Sequence, residues 1–175
     1  MPATQEHLLT LEEFRARYAG EKPYFEYWAG EAIQKSMPTW LHGLIQKILM
    51  FLLDGIGYES ASEVTLRIDP SYEPVPDVIA VEPPALLTYP TAPFAVAIEI
   101  LSPDDPFSRV VRKCRLYEQW GIERIVVIDP ALRIVWSFEN GNPCETGTIA
   151  QRRDRSVTAA QLWSELDRRL PQQAP

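Results

Sequence analysis

The chain has 175 residues, of which 46% are hydrophobic, 23% charged and 10% aromatic; this is one domain's worth of sequence with ample core material, which excludes disorder over most of its length. Its 17 basic and 24 acidic side chains leave a net charge of −7, which excludes a general nucleic-acid coat protein. The acidic excess sits entirely in residues 1–100, with 6 basic and 14 acidic side chains, whereas residues 101–175 hold 11 and 10.

Met1 to His7 has no basic start followed by an apolar stretch, so no secretory signal is expected. No run approaches the ~18 apolar residues that would cross a bilayer. Cys114 and Cys144 are too few for a four-cysteine metal site and are expected to be free thiols. Together these features predict a cytoplasmic protein without a membrane segment or an organic cofactor. One domain is expected over 1–175, with its ordered core over about 9–166 and a frayed tail at 171–175.

Thr10-Leu11-Glu12-Glu13 is a capping box, so a short helix is predicted to run to about Tyr18. Tyr24 to Trp28, the turn Ala29-Gly30 and the return Glu31 to Gln34 predict a β-hairpin. Pro38 is placed to open a helix whose Leu41, Leu44, Ile45, Ile48, Leu49 and Leu52 recur at helical spacing until Gly55 and Gly57. Tyr58 to Ile68 reads as one or two strands, and Val75 to Val81 as another with its proline at the start. After a proline-rich connection, Phe94 to Leu101 is a strand apolar on both faces except for Glu99. Ser102 to Pro106 should turn the chain into a helix reaching Trp120-Gly121, followed by strands at Arg124 to Ile128 and Arg133 to Phe138. Asp129-Pro130 between them reads as turn chemistry. Thr158 should cap a last helix running to about Leu170. The fold class predicted is mixed α+β, an α/β sheet flanked by helices.

Glu99 is the most informative residue, because an ionised carboxylate among Val96, Ala97, Ile98, Ile100 and Leu101 costs several kcal/mol unless a cation, metal or donor meets it. It is either a buried ion-pair partner of the next helix or a metal ligand. Asp77, on the preceding strand, is either a strand-start residue bonding a backbone donor or the second carboxylate of a shared divalent cation. On the next helix, Arg109, Lys113 and Tyr117 recur at four-residue spacing and share a face. If that helix crosses the sheet near Glu99, Lys113 would offset charge on a phosphate; Lys35 is the next lysine in line for that part. Glu31 is either an exposed strand residue or a metal-facing acid, and His42 either a helix-boundary histidine or a site residue.

Pro76-Asp77, Glu99-Ile100-Leu101-Ser102-Pro103 and Lys113-Cys114-Arg115-Leu116-Tyr117 together resemble the PD-(D/E)XK nuclease superfamily, and more closely its Uma-type restriction endonuclease branch. Gly121-Ile122-Glu123-Arg124 with Asp129-Pro130, and upstream Gly30-Glu31 and Met37-Pro38 with His42, continue the pattern from about Leu9 to Leu166. The superfamily's lysine two residues beyond the second acid is absent, Leu101 standing there, and the branch's substitute maps to Lys113. The resemblance implies a restriction-endonuclease-like fold, a magnesium ion that manganese would replace, and hydrolysis of DNA. It assigns the metal to Asp77, Glu99 and Glu31, and catalysis to these with Lys113 and His42.

The function expected is therefore a magnesium-dependent endonuclease acting on DNA as a homodimer, since one small domain presents one phosphodiester site. Two alternatives remain: a catalytically inactive DNA- or protein-binding module on a nuclease scaffold, which the missing lysine at 101 favours, and a metal hydrolase acting on another phosphoester.

Overall fold

The structure, a computed structural model, describes residues 8–103 and 106–171. The expectations for Met1 to His7, for Asp104-Asp105 and for the tail at 172–175 lie outside the described residues.

Helix α1 (Leu11–Tyr18) begins in the predicted capping box, Thr10 and Glu13 each bonding the other's backbone N–H. Strands β1 (Phe25–Trp28) and β2 (Glu31–Gln34) form the predicted antiparallel hairpin. Its turn uses Ala29 at φ 49° and Gly30 at φ 99°, the pair of positive angles a two-residue loop needs to match strand twist. Helix α2 (Trp40–Gly55) starts two residues later than expected, because Thr39 rather than Pro38 supplies the cap, its side chain accepting from the His42 N–H.

The run 58–68 yields only β3 (Glu59–Ser62), which ends where Glu63 turns to φ 56°. A two-residue strand, β4 (Tyr72–Glu73), pairs with β1 and extends the hairpin into a three-stranded sheet. Strand β5 (Val78–Val81) begins one residue after Asp77, and β6 (Val96–Ile100) is buried throughout. Helix α3 (Phe107–Trp120) closes on Gly121 at φ 100°. Strands β7 (Arg124–Asp129) and β8 (Ile134–Glu139) follow, with Asp129 Oδ1 accepting from the Ala131 and Leu132 N–H groups as turn chemistry requires. Besides β4, three further strands were not predicted: β9 (Asn142–Glu145), β10 (Thr148–Arg152) and β11 (Arg155–Thr158). Helix α4 (Ala159–Asp167) opens in a capping box of Thr158 and Gln161 and stops three residues short of Leu170.

The main sheet has six strands in the order β3-β5-β6-β7-β8-β9, antiparallel except for the β6–β7 pair. Strand alternation divides its side chains between two cores. Val78, Ala80, Val96, Ile98 and Ile100 face α2 and α4, whereas Ile79, Val81 and Ala97 face α3 through Val110, Cys114 and Tyr117. Glu99 shares the parity of Ala97, so its carboxylate enters the layer beneath α3. Its surroundings are therefore set by residues one helical turn apart on α3. No helix among the described residues is long and apolar enough to cross a membrane.

Candidate active site

A cavity of about 360 Å³ opens between the hairpin, the start of α2, and the β5, β6 and α3 segments of the main sheet. Its floor is the polar part of the α3-side layer. Asp77, Glu99 and Lys113 all line it, as does His42. The helix face that carries Arg109, Lys113 and Tyr117 packs over the β6 layer, so Lys113 meets Glu99.

Glu99 is 4% exposed. Lys113 Nζ lies 2.8 Å from its Oε1 and donates to its Oε2 at 2.9 Å, while the Tyr117 hydroxyl donates to Oε1 at 2.7 Å. Burial pushes the Glu99 carboxyl up to about 7; Lys113 opposes this and the neighbouring Asp77 charge adds to it. The same burial drives the Tyr117 hydroxyl well above its ordinary range, with the Glu99 charge adding, so it remains a donor.

Asp77 is 3% exposed and its two oxygens are used differently. Oδ2 accepts the Ile100 N–H at 2.7 Å, which anchors the carboxylate to the end of β6. Oδ1 faces the cavity, where Lys35 Nζ lies at 2.7 Å and His42 Nε2 at 3.4 Å. Burial works against ionisation here too, but Lys35, His42 and Lys113 outweigh it and hold the Asp77 carboxyl below the ordinary carboxylate range. For His42, burial opposes the charge while Asp77 favours it, and the net direction is upward. Among the described residues its Nδ1 has no hydrogen-bond partner.

Two acids that the sequence reading passed over complete the floor. Glu26, on β1, accepts the Val75 N–H at 2.8 Å and places Oε1 2.7 Å from Lys113 Nζ. Glu63, at the end of β3, accepts from Gln46 Nε2 at 2.8 Å and from Lys35 Nζ at 3.0 Å. Glu31 is not brought to the site: it sits exposed on β2, paired in register with Trp28 beyond the turn, and the hairpin acid that points inward is Glu26. A lone glutamate in the aromatic run from Tyr24 to Trp28 was the signal available; it is buried beside Trp28, whose indole Nε1 donates to Glu26 Oε2 at 3.3 Å. Glu63 carried no such signal.

The inner cluster thus holds four carboxylates, Glu26, Glu63, Asp77 and Glu99, against the ammoniums of Lys35 and Lys113. Carboxylates outnumber ammoniums in this buried space, and their hard oxygen donors fit a divalent cation such as magnesium or manganese. His42, Glu63 and Asp77 offer donor atoms within 4.8 Å of one another. Lys22 and Arg109 are exposed where the cavity reaches the surface, giving a negative floor and a positive rim. Leu101, at the position of the missing lysine, packs against the α3-side core instead.

A family model described as "Uma2: Putative restriction endonuclease" matches residues 11–169. The fold is similar to that of a crystal structure described as a putative nuclease belonging to DUF820 from Anabaena variabilis ATCC 29413, with a TM-score of 0.76 and 21% identity over 90% of this chain and 99% of that one. A DrdV–DNA complex is similar at a TM-score of 0.42 and 18% identity, over 71% of this chain and 11% of that one. No curated protein matches the sequence. The chain belongs to the Uma2 family, and its fold is restriction-endonuclease-like.

Proposed function

We propose that this member of the Uma2 family is a divalent-metal-dependent endonuclease that hydrolyses phosphodiester bonds in DNA. The observation that carries the reading is the buried cluster of four carboxylates and two ammoniums at the floor of an open cavity, in a chain of this family. Asp77 and Glu99 are the central acids; Glu26, Glu63 and His42 surround them, in place of the Glu31 that the resemblance suggested.

A bound magnesium ion would supply Lewis acidity, activating a water and offsetting charge on the phosphoryl oxygens. The chain's own residues do the rest. Asp77, held by the Ile100 N–H, presents Oδ1 to the cavity in a fixed direction. Tyr117 and Lys113 fix Glu99 from the other side. Lys22 and Arg109 draw the polyanionic backbone to the rim, which lets an acidic protein take an anionic substrate. One chain carries one such cluster among the described residues. Cutting both strands therefore takes two copies of the chain, most simply a two-fold dimer, or two successive nicks.

The experiment is cleavage of plasmid and short linear DNA in magnesium, manganese or chelator. The wild type should cut only with metal, and Asp77→Asn should lose ~10²-fold or more, since it removes the cavity-facing charge. Metal-independent cutting, or Asp77→Asn at the wild-type rate, overturns the reading. A second reading, an inactive binding module on this scaffold, is favoured by one observation: Leu101 replaces the lysine of the superfamily pattern. That protein would bind DNA without cutting it, and its melting temperature would not rise with magnesium or manganese.

A further inference from the structure

The two ammoniums of the site are arranged alike. Lys113 Nζ lies between Glu26 and Glu99, Lys35 Nζ between Glu63 and Asp77, and both donate to the Val75 carbonyl oxygen, at 3.1 and 2.9 Å. Each is a triad of two carboxyl groups around one ammonium. They differ in how firmly the ammonium is held. The Lys113 side chain is 5% exposed, its ammonium bonded to both oxygens of Glu99. The Lys35 side chain is 15% exposed, touches one oxygen of each carboxylate, and comes from the segment joining β2 to α2.

The carboxylates Lys35 touches also have other partners. Asp77 retains the Ile100 N–H and His42, and Glu63 retains Gln46. Withdrawal of Lys35 therefore orphans neither acid. A divalent cation held at Asp77 Oδ1 would compete for that oxygen with the Lys35 ammonium, which lies 2.7 Å from it, and like charges repel strongly in a partly dehydrated site. Resting on the metal-dependent phosphodiesterase reading, we propose that Lys35 is the lysine that meets the substrate phosphate, released from Asp77 on cation binding, while Lys113 stays between Glu26 and Glu99. The departure from the superfamily pattern at Leu101 is then met from the hairpin side of the site, by a residue lining the cavity. No bond is made or broken by Lys35 in this role; its ammonium donates to a non-bridging phosphate oxygen as negative charge builds there.

The test separates the lysine from the metal and from the reaction. Manganese binding to the DNA-free protein is measured by calorimetry, and DNA cleavage separately, for wild type, Lys35→Gln and Lys35→Arg. Lys35→Gln should bind manganese ~10-fold more tightly, because a competing positive charge is gone. It should also lose ~10²-fold in kcat with little change in KM. Lys35→Arg should rescue poorly, since a planar fork does not replace a compact ammonium. Manganese affinity in Lys35→Gln equal to or weaker than the wild type's, or cleavage within about threefold of wild type, overturns the assignment while leaving the nuclease reading intact. A wild type that binds manganese but cuts no DNA overturns both, and the calorimetry then still shows whether Lys35 competes for the cation position.

Discussion

Tyr117 donates its hydroxyl to Glu99 Oε1 at 2.7 Å from one helical turn beyond Lys113, whose ammonium lies 2.8 Å from the same oxygen. One face of α3 thus supplies both partners of the buried acid, and neither works without the other's spacing. Tyr117→Phe removes a donor to an ionised group without changing the packing shape. At pH 8 it should cost about 1.5–3 kcal/mol of unfolding free energy. At pH 5, where Glu99 is protonated, the cost should fall toward that of a neutral hydrogen bond. Urea titrations at the two pH values measure it, and an equal cost at both would mean that Glu99 does not change protonation in this window.

The Glu99 carboxyl itself gives a pH signature. Burial raises its pKa from an ordinary 4.5 to about 7, so the folded chain holds this proton more tightly than the unfolded one. Stability from Glu99 is complete below about 4.5 and is lost as pH rises through about 7. His42, also raised, contributes in the same direction. Asp77 is lowered and acts the opposite way, but only below its ordinary 3.8. Metal-free unfolding free energy should therefore fall from pH 5 to pH 8, and Glu99→Gln should flatten the fall to what His42 leaves. A wild-type curve that is level, or one that Glu99→Gln does not change, would refute the shift.

Most of this site was legible because strand and helix periods are strict. Glu99 had no polar neighbour on its own strand, so its partners had to come from elsewhere, and the four-residue spacing of Arg109, Lys113 and Tyr117 named the face that supplies two of them. The hairpin, the capping boxes at Thr10 and Thr158, and α3 followed from local chemistry. Glu26, Glu63 and Gln46 were hidden because their inward direction depends on how the hairpin and α2 dock against the main sheet, which no local pattern encodes. Strands β10 and β11 were missed for a different reason. Their turn uses Arg153 at φ 55°, a position where Gly, Asn or Asp would have announced a hairpin.

The choice between the two hairpin acids is open to direct measurement. Glu26 is 2% exposed and bonded to Lys113 and the Val75 N–H, whereas Glu31 is exposed at the turn. Glu31→Gln should leave stability within about 0.5 kcal/mol and manganese affinity unchanged. Glu26→Gln should weaken manganese binding by lowering the negative charge of the cluster. Calorimetry that shows the reverse order would return Glu31 to the metal site.

Lys113 links three groups in the core, and its removal should expose how much of the site is structural. Lys113→Met keeps most of the stem's packing but leaves Glu26 and Glu99 facing each other without their cation. Breaking a buried pair from one side typically costs about 3–5 kcal/mol, because the remaining charge is stranded. That loss should be largest at pH 8 and shrink toward pH 5, as Glu99 takes up a proton. Adding Glu99→Gln to Lys113→Met removes one stranded charge, so the double variant should be more stable than Lys113→Met alone. The interaction in this cycle should be favourable by about 0.5–3 kcal/mol, the range for residues in one ion-pair network. If the two losses simply add, Lys113 and Glu99 do not sense each other's charge, and the cluster at the cavity floor is not an electrostatic unit.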